Sequence, residues 1–512
     1  MMRQRSRLQS SIFNFVSGIG YRFLSLFTAF IVRTVFVRCL SADYLSVNGL
    51  YSNILSMLSL AELGFGTAMI YSMYQPLANK DEEKLLQLMR LYQKVYIIIG
   101  TVILVLGLSL VPFLDVLIKD APDIKGLTFY YILFLLNTVV SYWFFAYKNS
   151  LLQADQKAYI VTNYSSIFNL IKSVFQIIVL AVFHSFSIYL ITQIVCTIGQ
   201  NITIAIKVNF VYPYIRRKPK EKLPKYEKKK IFKDVKALML SKISNTVLNS
   251  TDNIIISAFV GFKWVGLLSN FMLISDALTA VLCQITSSIT ASLGNFFVTE
   301  SREAGFKLFR RIEFLNFWLY GFSMIALITL LNPFITIWLG KQYVLPMGAV
   351  VWVSINFFVA GFINTFYTFR YTLGLFTQAQ YRPAIVTVLN IVLSIGLSYR
   401  WGIVGVLAAT TLSRLFINLW YDPFLIHKEG FGVSVKPYYI EYGFRTIILG
   451  GIAWGLQYIS GIVLKNGITI ISFIEIMLIT MIVPNIIFFI LFYRKEEFIY
   501  FKNTVLGFLR IR

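Results

Sequence analysis

Apolar residues in this chain neither alternate nor form narrow stripes. They run in long blocks separated by short polar connections. A helix of about 20 apolar residues crosses a hydrocarbon core about 30 Å thick. The pattern predicts fourteen such spans: 11–32, 45–74, 91–114, 127–147, 158–182, 187–211, 238–260, 264–298, 313–338, 346–369, 382–399, 402–426, 440–463 and 468–492. The second and eighth are over-long and are expected to tilt, to kink at Gly64 and Gly66, or to continue past the bilayer. The expected fold is therefore all-α and integral to a membrane.

Basic residues orient these spans. With the N-terminus in the cytoplasm, and with Lys94, Arg382 and Arg445 near span ends counted with the adjoining cytoplasmic connections, 34 of the 47 lysines and arginines are cytoplasmic, 8 lie in external connections and 5 within spans. Positive charge is retained on the cytoplasmic side of membrane proteins, so both termini are expected there. The basic N-terminus (Met1 to Arg7) leads into an apolar run that contains Arg22 and has no small-residue cleavage site. It reads as a retained first helix.

A weak internal duplication divides the spans. Gly49-Leu50-Tyr51-Ser52-Asn53 matches Gly266-Leu267-Leu268-Ser269-Asn270, and Gln153-Ala154-Asp155-Gln156-Lys157 matches Gln378-Ala379-Gln380-Tyr381-Arg382. Six spans separate the copies. An even number keeps both copies pointing the same way, as in parallel transporter repeats. The expected division is an N-terminal lobe at 1–211 (spans 1–6), a basic cytoplasmic linker at 212–237, a C-terminal lobe at 238–428 (spans 7–12), and 429–512 as two appended helices and a tail. Both lobes would face a central cavity.

Composition agrees with this reading: 57% hydrophobic and only 14% charged residues, with a mean hydropathy of +0.71. A water-soluble surface needs about 25% charged residues. The net charge of +24 lies in short clusters between apolar runs, without a basic domain carrying aromatic platforms, so nucleic acid is not an expected partner. Cys39, Cys196 and Cys283 are scattered, and only two histidines are present, so neither a metal site nor a redox pair is expected.

The informative residues are polar ones inside spans, where a charge costs about 2.5–3.5 kcal/mol and normally faces water or a polar interior. Span 7 carries Lys242, Asn245, Asn249 and Asp252 on one helical face. Comparable stripes are Asn14, Gly18, Arg22 and Ser25 in span 1, and Ser165, Asn169, Lys172 and Gln176 in span 5. Span 8 has Asp276, Thr279, Cys283 and Ser287, and span 12 has Thr411, Arg414 and Asn418. Two readings stand: helix-to-helix pairing, or walls of a hydrated cavity for a polar ligand. Guanidinium and ammonium groups suit phosphate. The substrate-binding candidates are Arg22, Lys172, Lys242 and Arg414, with the repeat-related amides Asn53 and Asn270. Glu62, Asp252 and Asp276 are candidates for ion coupling or charge pairing. No catalytic and no metal-binding residues are expected.

The run Ser250-Thr251-Asp252-Asn253-Ile254-Ile255-Ile256-Ser257-Ala258-Phe259-Val260-Gly261, continuing through Val265 to Asn270, resembles an element of the Wzx-type polysaccharide flippases. These belong to the multidrug/oligosaccharidyl-lipid/polysaccharide (MOP) transporter superfamily. Ser59-Leu60-Ala61-Glu62-Leu63-Gly64-Phe65-Gly66-Thr67-Ala68 is similar to that family's second span. The resemblance implies a MATE-like bundle of about fourteen helices working by alternating access. It implies a monomer in the bacterial cytoplasmic membrane that flips an undecaprenyl-diphosphate-linked oligosaccharide for O-antigen or capsule assembly. Membrane lipids, a polysaccharide polymerase and glycosyltransferases are the implied partners. Arg22 and Lys242 lie in the spans that carry cavity cations in the family. No cofactor is expected, and coupling to H+ or Na+ is left open.

Two relatives of that function fit the same residues: a flippase for the peptidoglycan lipid precursor, and a multidrug or cation antiporter. The antiporter would favour acidic and aromatic cavity residues. An enzyme is disfavoured because every external connection is short and His184 and His427 fall on opposite sides of the membrane. A nucleotide-driven pump is disfavoured because Gly340-Lys341 lacks the remainder of a phosphate-binding loop.

Overall fold

The computed structural model describes residues 24–62, 65–118, 124–299, 301–375 and 381–510; within these, the side chains at 60–61, 234, 236–242, 245, 249, 284–299, 371, 466, 505 and 507–510 are not described. The described chain is helical throughout. In order it forms α1 (24–39), α2 (Ala42–Leu58), α3 (Phe65–Ala78), α4 (Glu82–Leu110), α5 (Leu127–Trp143), α6 (Ala158–Phe183), α7 (Phe186–Val211) and α8 (Lys225–Ile255). There follow α9 (Phe262–Thr299), α10 (Arg302–Trp338), α11 (Met347–Thr372), α12 (Arg382–Leu425), α13 (Lys436–Val463), α14 (Ile470–Phe492) and α15 (Glu496–Arg510).

Among the described residues, nine helices are long and apolar enough to cross a membrane, or ten when the bent pair Leu127–Trp143 and Ala146–Ala154 is one span. The expected fourteen are not all reached, for local reasons. Most of span 1 lies outside the described residues. Span 2 is interrupted: α2 ends at Leu58, a 3-10 turn covers Ser59–Glu62, and α3 restarts at Phe65, around the Gly64 and Gly66 expected to kink it. Span 7 is the C-terminal part of α8, a helix whose first half is strongly basic. Spans 11 and 12 are joined in α12, where Gly402 has φ 55° and ψ −134°. Asn390 Nδ2 donates to Thr410 Oγ1 at 3.1 Å. Twenty residues of straight helix would separate those two by about 30 Å, so the chain reverses at Gly402 and α12 is a helical hairpin.

Packing groups the chain into two units, 1–266 and 267–512. The sequence-based division places the C-terminal lobe from 238. Packing instead groups α8 with the first unit, where it lies against α2 and α3. The first unit is centred on aromatic rings, with Phe186 meeting Phe36, Tyr44, Tyr130 and Tyr189 at 5.0–5.8 Å. The second has a core around Phe309, Phe362, Phe366, Phe369 and Phe431. Large apolar side chains also lie on the outside: Phe210, Ile447 and Trp454 are 75%, 75% and 77% exposed. Apolar surface of that extent belongs against lipid. The chain is a multi-pass membrane protein.

The leading glycines of the two repeated elements sit at one helix crossing inside the first unit. A Cβ on Gly49 would touch Val265 Cγ1 at 3.0 Å, and the Gly266 N–H donates to Ser46 Oγ at 3.1 Å. Small residues at such crossings let helix backbones approach closely. The run from Ser250 to Gly261 closes with a π-turn, Ile256–Val260, and then Gly261 at φ 147°, a conformation that side-chain-bearing residues rarely adopt. Ser257 Oγ donates across to Leu117 O at 2.6 Å.

The basic linker is pinned to its neighbours. Arg217 pairs with Glu82 at 3.8 Å, and Glu83 Oε1 accepts from the backbone N–H groups of Lys220 and Glu221 at 2.5 and 3.3 Å. Asp155, in one of the repeated elements, pairs with Lys157 at 2.6 Å and accepts from the Tyr212 hydroxyl at 2.5 Å. Burial, and then the Asp155 carboxylate, push the Tyr212 phenol well above its ordinary range; burial, helped by Glu82 and Asp155, pushes Tyr214 up to about 12. Tyr212 therefore stays a hydrogen-bond donor at every physiological pH.

Candidate functional site

Glu62 is the best-defined of the acidic candidates. The break between α2 and α3 leaves it half-buried, with Oε1 accepting from Tyr96 at 2.9 Å and Oε2 from Tyr142 at 2.7 Å. Tyr92 stacks on Tyr96 at 5.8 Å and donates to the carbonyls of Phe65 and Gly66 at 3.1 and 2.9 Å, the first residues after the break. Three tyrosines of α4 and α5 thus stabilise the interrupted span, two of them through this carboxylate. Glu62→Ala would leave two buried phenols without their acceptor, at a cost of about 1–3 kcal/mol. Glu62→Gln, keeping one carbonyl, is expected to lose about half of that. Thermal unfolding of the purified protein in detergent checks the order.

Lys172 lies midway along α6, half-buried, with Nζ 3.0 Å from Asn169 Oδ1. Among the described residues no carboxylate pairs with it. The rest of its stripe is partly interhelical: Ser165 accepts from Gln200 of α7 at 3.0 Å, and Gln176 is buried. Asn53 is half-buried and donates to Gly49 O in its own helix at 2.8 Å. The structure does not gather Glu62, Lys172 and Asn53 into a hydrogen-bonded or ion-paired cluster.

Arg22 lies outside the described residues, as do the side chains of Lys242, Asn245 and Asn249; only the backbone of Lys242, within α8, is described. Asp252 is half-buried on α8. Asn270, the repeat mate of Asn53, is wholly buried in α9. Asp276 is exposed partway along α9. A carboxylate at that depth faces water or polar groups, since hydrocarbon would not tolerate it. Arg414 is half-buried in the second arm of the α12 hairpin. Its stripe mate Thr411 donates to Asn356 Oδ1 of α11 at 2.7 Å, a helix-to-helix bond. Cys283 Sγ lies 3.7 Å from the Tyr320 hydroxyl and 3.8 Å from Asn364 Nδ2.

The second unit holds two buried ion clusters that the span pattern does not reveal. Arg445 of α13 donates to Glu313 of α10 at 2.9 Å and to Glu441 at 2.6 Å. Phe314, Phe317 and Phe492 surround the guanidinium at 5.3–5.9 Å. Lys495 adds a bond to Glu441 at 2.9 Å, and Arg310 bonds Glu497 of α15 at 2.7 Å. In the other cluster Asp422 of α12 receives both Arg370 of α11, at 3.3 Å, and Arg382 of α12. The one sequence signal was the Glu441–Arg445 spacing of four on a helix.

Neither a protein family nor a curated protein matches the sequence. Solved structures do. Lipid II flippase MurJ, in an inward closed conformation, is similar with a TM-score of 0.65 and 17% identity, covering 94% of this chain and 99% of that one. A multidrug resistance MATE family transporter of the MOP superfamily, in an inward-facing conformation, is similar with a TM-score of 0.59 and 14% identity, covering 77% and 93%. At these identities the likeness establishes the fold alone: a helical membrane-transporter fold of the kind seen in these two structures.

Proposed function

We propose that this protein is a flippase that carries an undecaprenyl-diphosphate-linked oligosaccharide from the inner to the outer leaflet of a bacterial cytoplasmic membrane, for surface polysaccharide assembly. The observation that carries the reading is the contrast between its charges. Lys172, midway along a span, has a neutral amide as its partner, whereas Glu62 has both oxygens capped by tyrosines. An uncompensated lysine at that depth is costly unless an anion visits it. With Arg22, Lys242 and Arg414 in other spans, it offers a diphosphate a set of cationic contacts. Alternating access would expose those contacts to each leaflet in turn, and Asp252 and Asp276 are the proposed groups for coupling to a proton or sodium gradient.

Peptidoglycan precursor is the second reading, favoured by the lipid II flippase whose fold matches along nearly the whole chain. The test is complementation of two strains, one lacking its polysaccharide flippase and one lacking its lipid II flippase. Restored surface polymer in the first strain alone supports the proposal, and rescue of the second alone replaces it with the second reading. In the rescued strain Lys172→Ala is expected to cut polymer export at least tenfold at unchanged protein level, with Lys172→Arg retaining most of it. Full export by Lys172→Ala would remove the cationic contact from the mechanism. Flux in reconstituted vesicles that ignores both imposed ion gradients would dismiss coupling.

A further inference from the structure

The first unit contains a second polar feature, separate from the in-span charges. Where the end of α3 and the start of α4 meet the start of α8, a cleft of about 570 Å³ opens. That volume lies within the range of about 300–1,000 Å³ typical of small-ligand sites. Tyr71 and Tyr226 line it while 72% exposed, and Tyr74, 48% exposed, meets Tyr71 edge-to-face at 6.0 Å. Gln75 and Asn79 share the wall with Lys230. Among the described residues none of these three side chains is hydrogen-bonded or ion-paired to another protein group, while Lys84 and Glu227 beside them form a closed salt bridge.

From this arrangement we infer that the cleft is a docking site for the sugar portion of the precursor before translocation; the inference rests on the cargo proposed above. The electron-rich faces of tyrosine rings attract the polarised C–H face of a pyranose. Free carboxamides both donate and accept, as vicinal hydroxyls require. The ammonium of Lys230 supplies a point charge for the diphosphate end. A purely interfacial role for the tyrosines, as a belt at the headgroup level, would leave the two amides and the lysine without work. The basic linker lies on the same side of this unit, the side the charge distribution assigns to the cytoplasm, where a precursor awaiting export would be found.

The experiment uses the full chain in its own host's membranes, with Tyr226 or Tyr74 replaced by the photo-crosslinker p-benzoylphenylalanine, and mass spectrometry of the irradiated protein. An adduct carrying hexose or hexosamine residues is the expected result. Adducts with phospholipid alone would assign the tyrosines to the membrane interface and overturn the inference, and so would no sugar-bearing adduct. In reconstituted vesicles the pair Tyr71→Ala and Tyr226→Ala is expected to raise the half-saturating precursor concentration at least tenfold with maximal flux nearly unchanged, and the corresponding Phe pair to behave like the wild type. An unchanged half-saturating concentration in the Ala pair also overturns it. The two readings fail separately. Complementation with no sugar adduct removes the cleft and keeps the cargo, whereas a sugar adduct without complementation keeps a glycan site and removes the flippase.

Discussion

Replacing Arg445 with Leu is expected to destabilise the second unit by about 3–5 kcal/mol, the cost of leaving a buried charge without its partner. Glu313 is 6% exposed, and Arg445 is the cation bonded to it, at 2.9 Å. Glu441 would suffer less because Lys495 still holds it at 2.9 Å and Arg310 lies at 3.6 Å. The loss should therefore be traceable to one carboxylate. Adding Glu313→Leu to Arg445→Leu removes the stranded charge and is expected to restore most of the stability, because a buried pair replaced by apolar side chains is often neutral or better. Thermal unfolding of the single and double variants in detergent distinguishes the cases. A double variant no more stable than Arg445→Leu would mean that packing of the guanidinium between Phe314, Phe317 and Phe492 carries the effect.

This cluster also marks what the sequence can and cannot disclose. Spans are legible because hydrocarbon imposes a length and a polarity on each one independently, so 313–338 falls inside α10, and 91–114 and 468–492 overlap α4 and α14 except for a few residues at one end. The break between α2 and α3 and the reversal near 400 were legible for a similar reason: glycine and the end of an apolar run act locally. Ion partners are different. Glu313 and Arg445 are 132 residues apart, and nothing local to either says which helix will face it. They sit at the edges of spans, where charge is ordinary and draws no attention.

The polar stripes were legible as stripes but ambiguous in purpose. Thr411 and Ser165 join neighbouring helices, whereas Lys172 has a neutral partner and Asp276 is exposed. Periodicity places such residues on a face without saying what the face meets. The cleft between α3, α4 and α8 was not legible at all. Its walls come from α3 and from α8, more than 140 residues later, and exposed tyrosines beside lysines are common at membrane boundaries.

The glycine repeat was the faintest sequence signal and leads to a sharp structural expectation. Gly266→Ala should destabilise the first unit by about 1–3 kcal/mol, as overpacking does. The added Cβ would lie 2.5 Å from Ser46 Oγ, 2.8 Å from Ala42 O and 2.9 Å from Ser46 N. The hydroxyl could turn away, but the other two atoms are the backbone of α2, so the helices must separate. Ser46→Gly is therefore expected not to rescue Gly266→Ala. Gly49→Ala on the facing helix should be milder, because its Cβ meets Val265 Cγ1 at 3.0 Å, a side-chain contact that rotation can relieve. The order of unfolding temperatures, wild type above Gly49→Ala above Gly266→Ala, tests whether this crossing is a backbone contact. Equal losses at the two glycines, or recovery with Ser46→Gly, would show that α2 and α9 are held apart by more than the distances between them suggest.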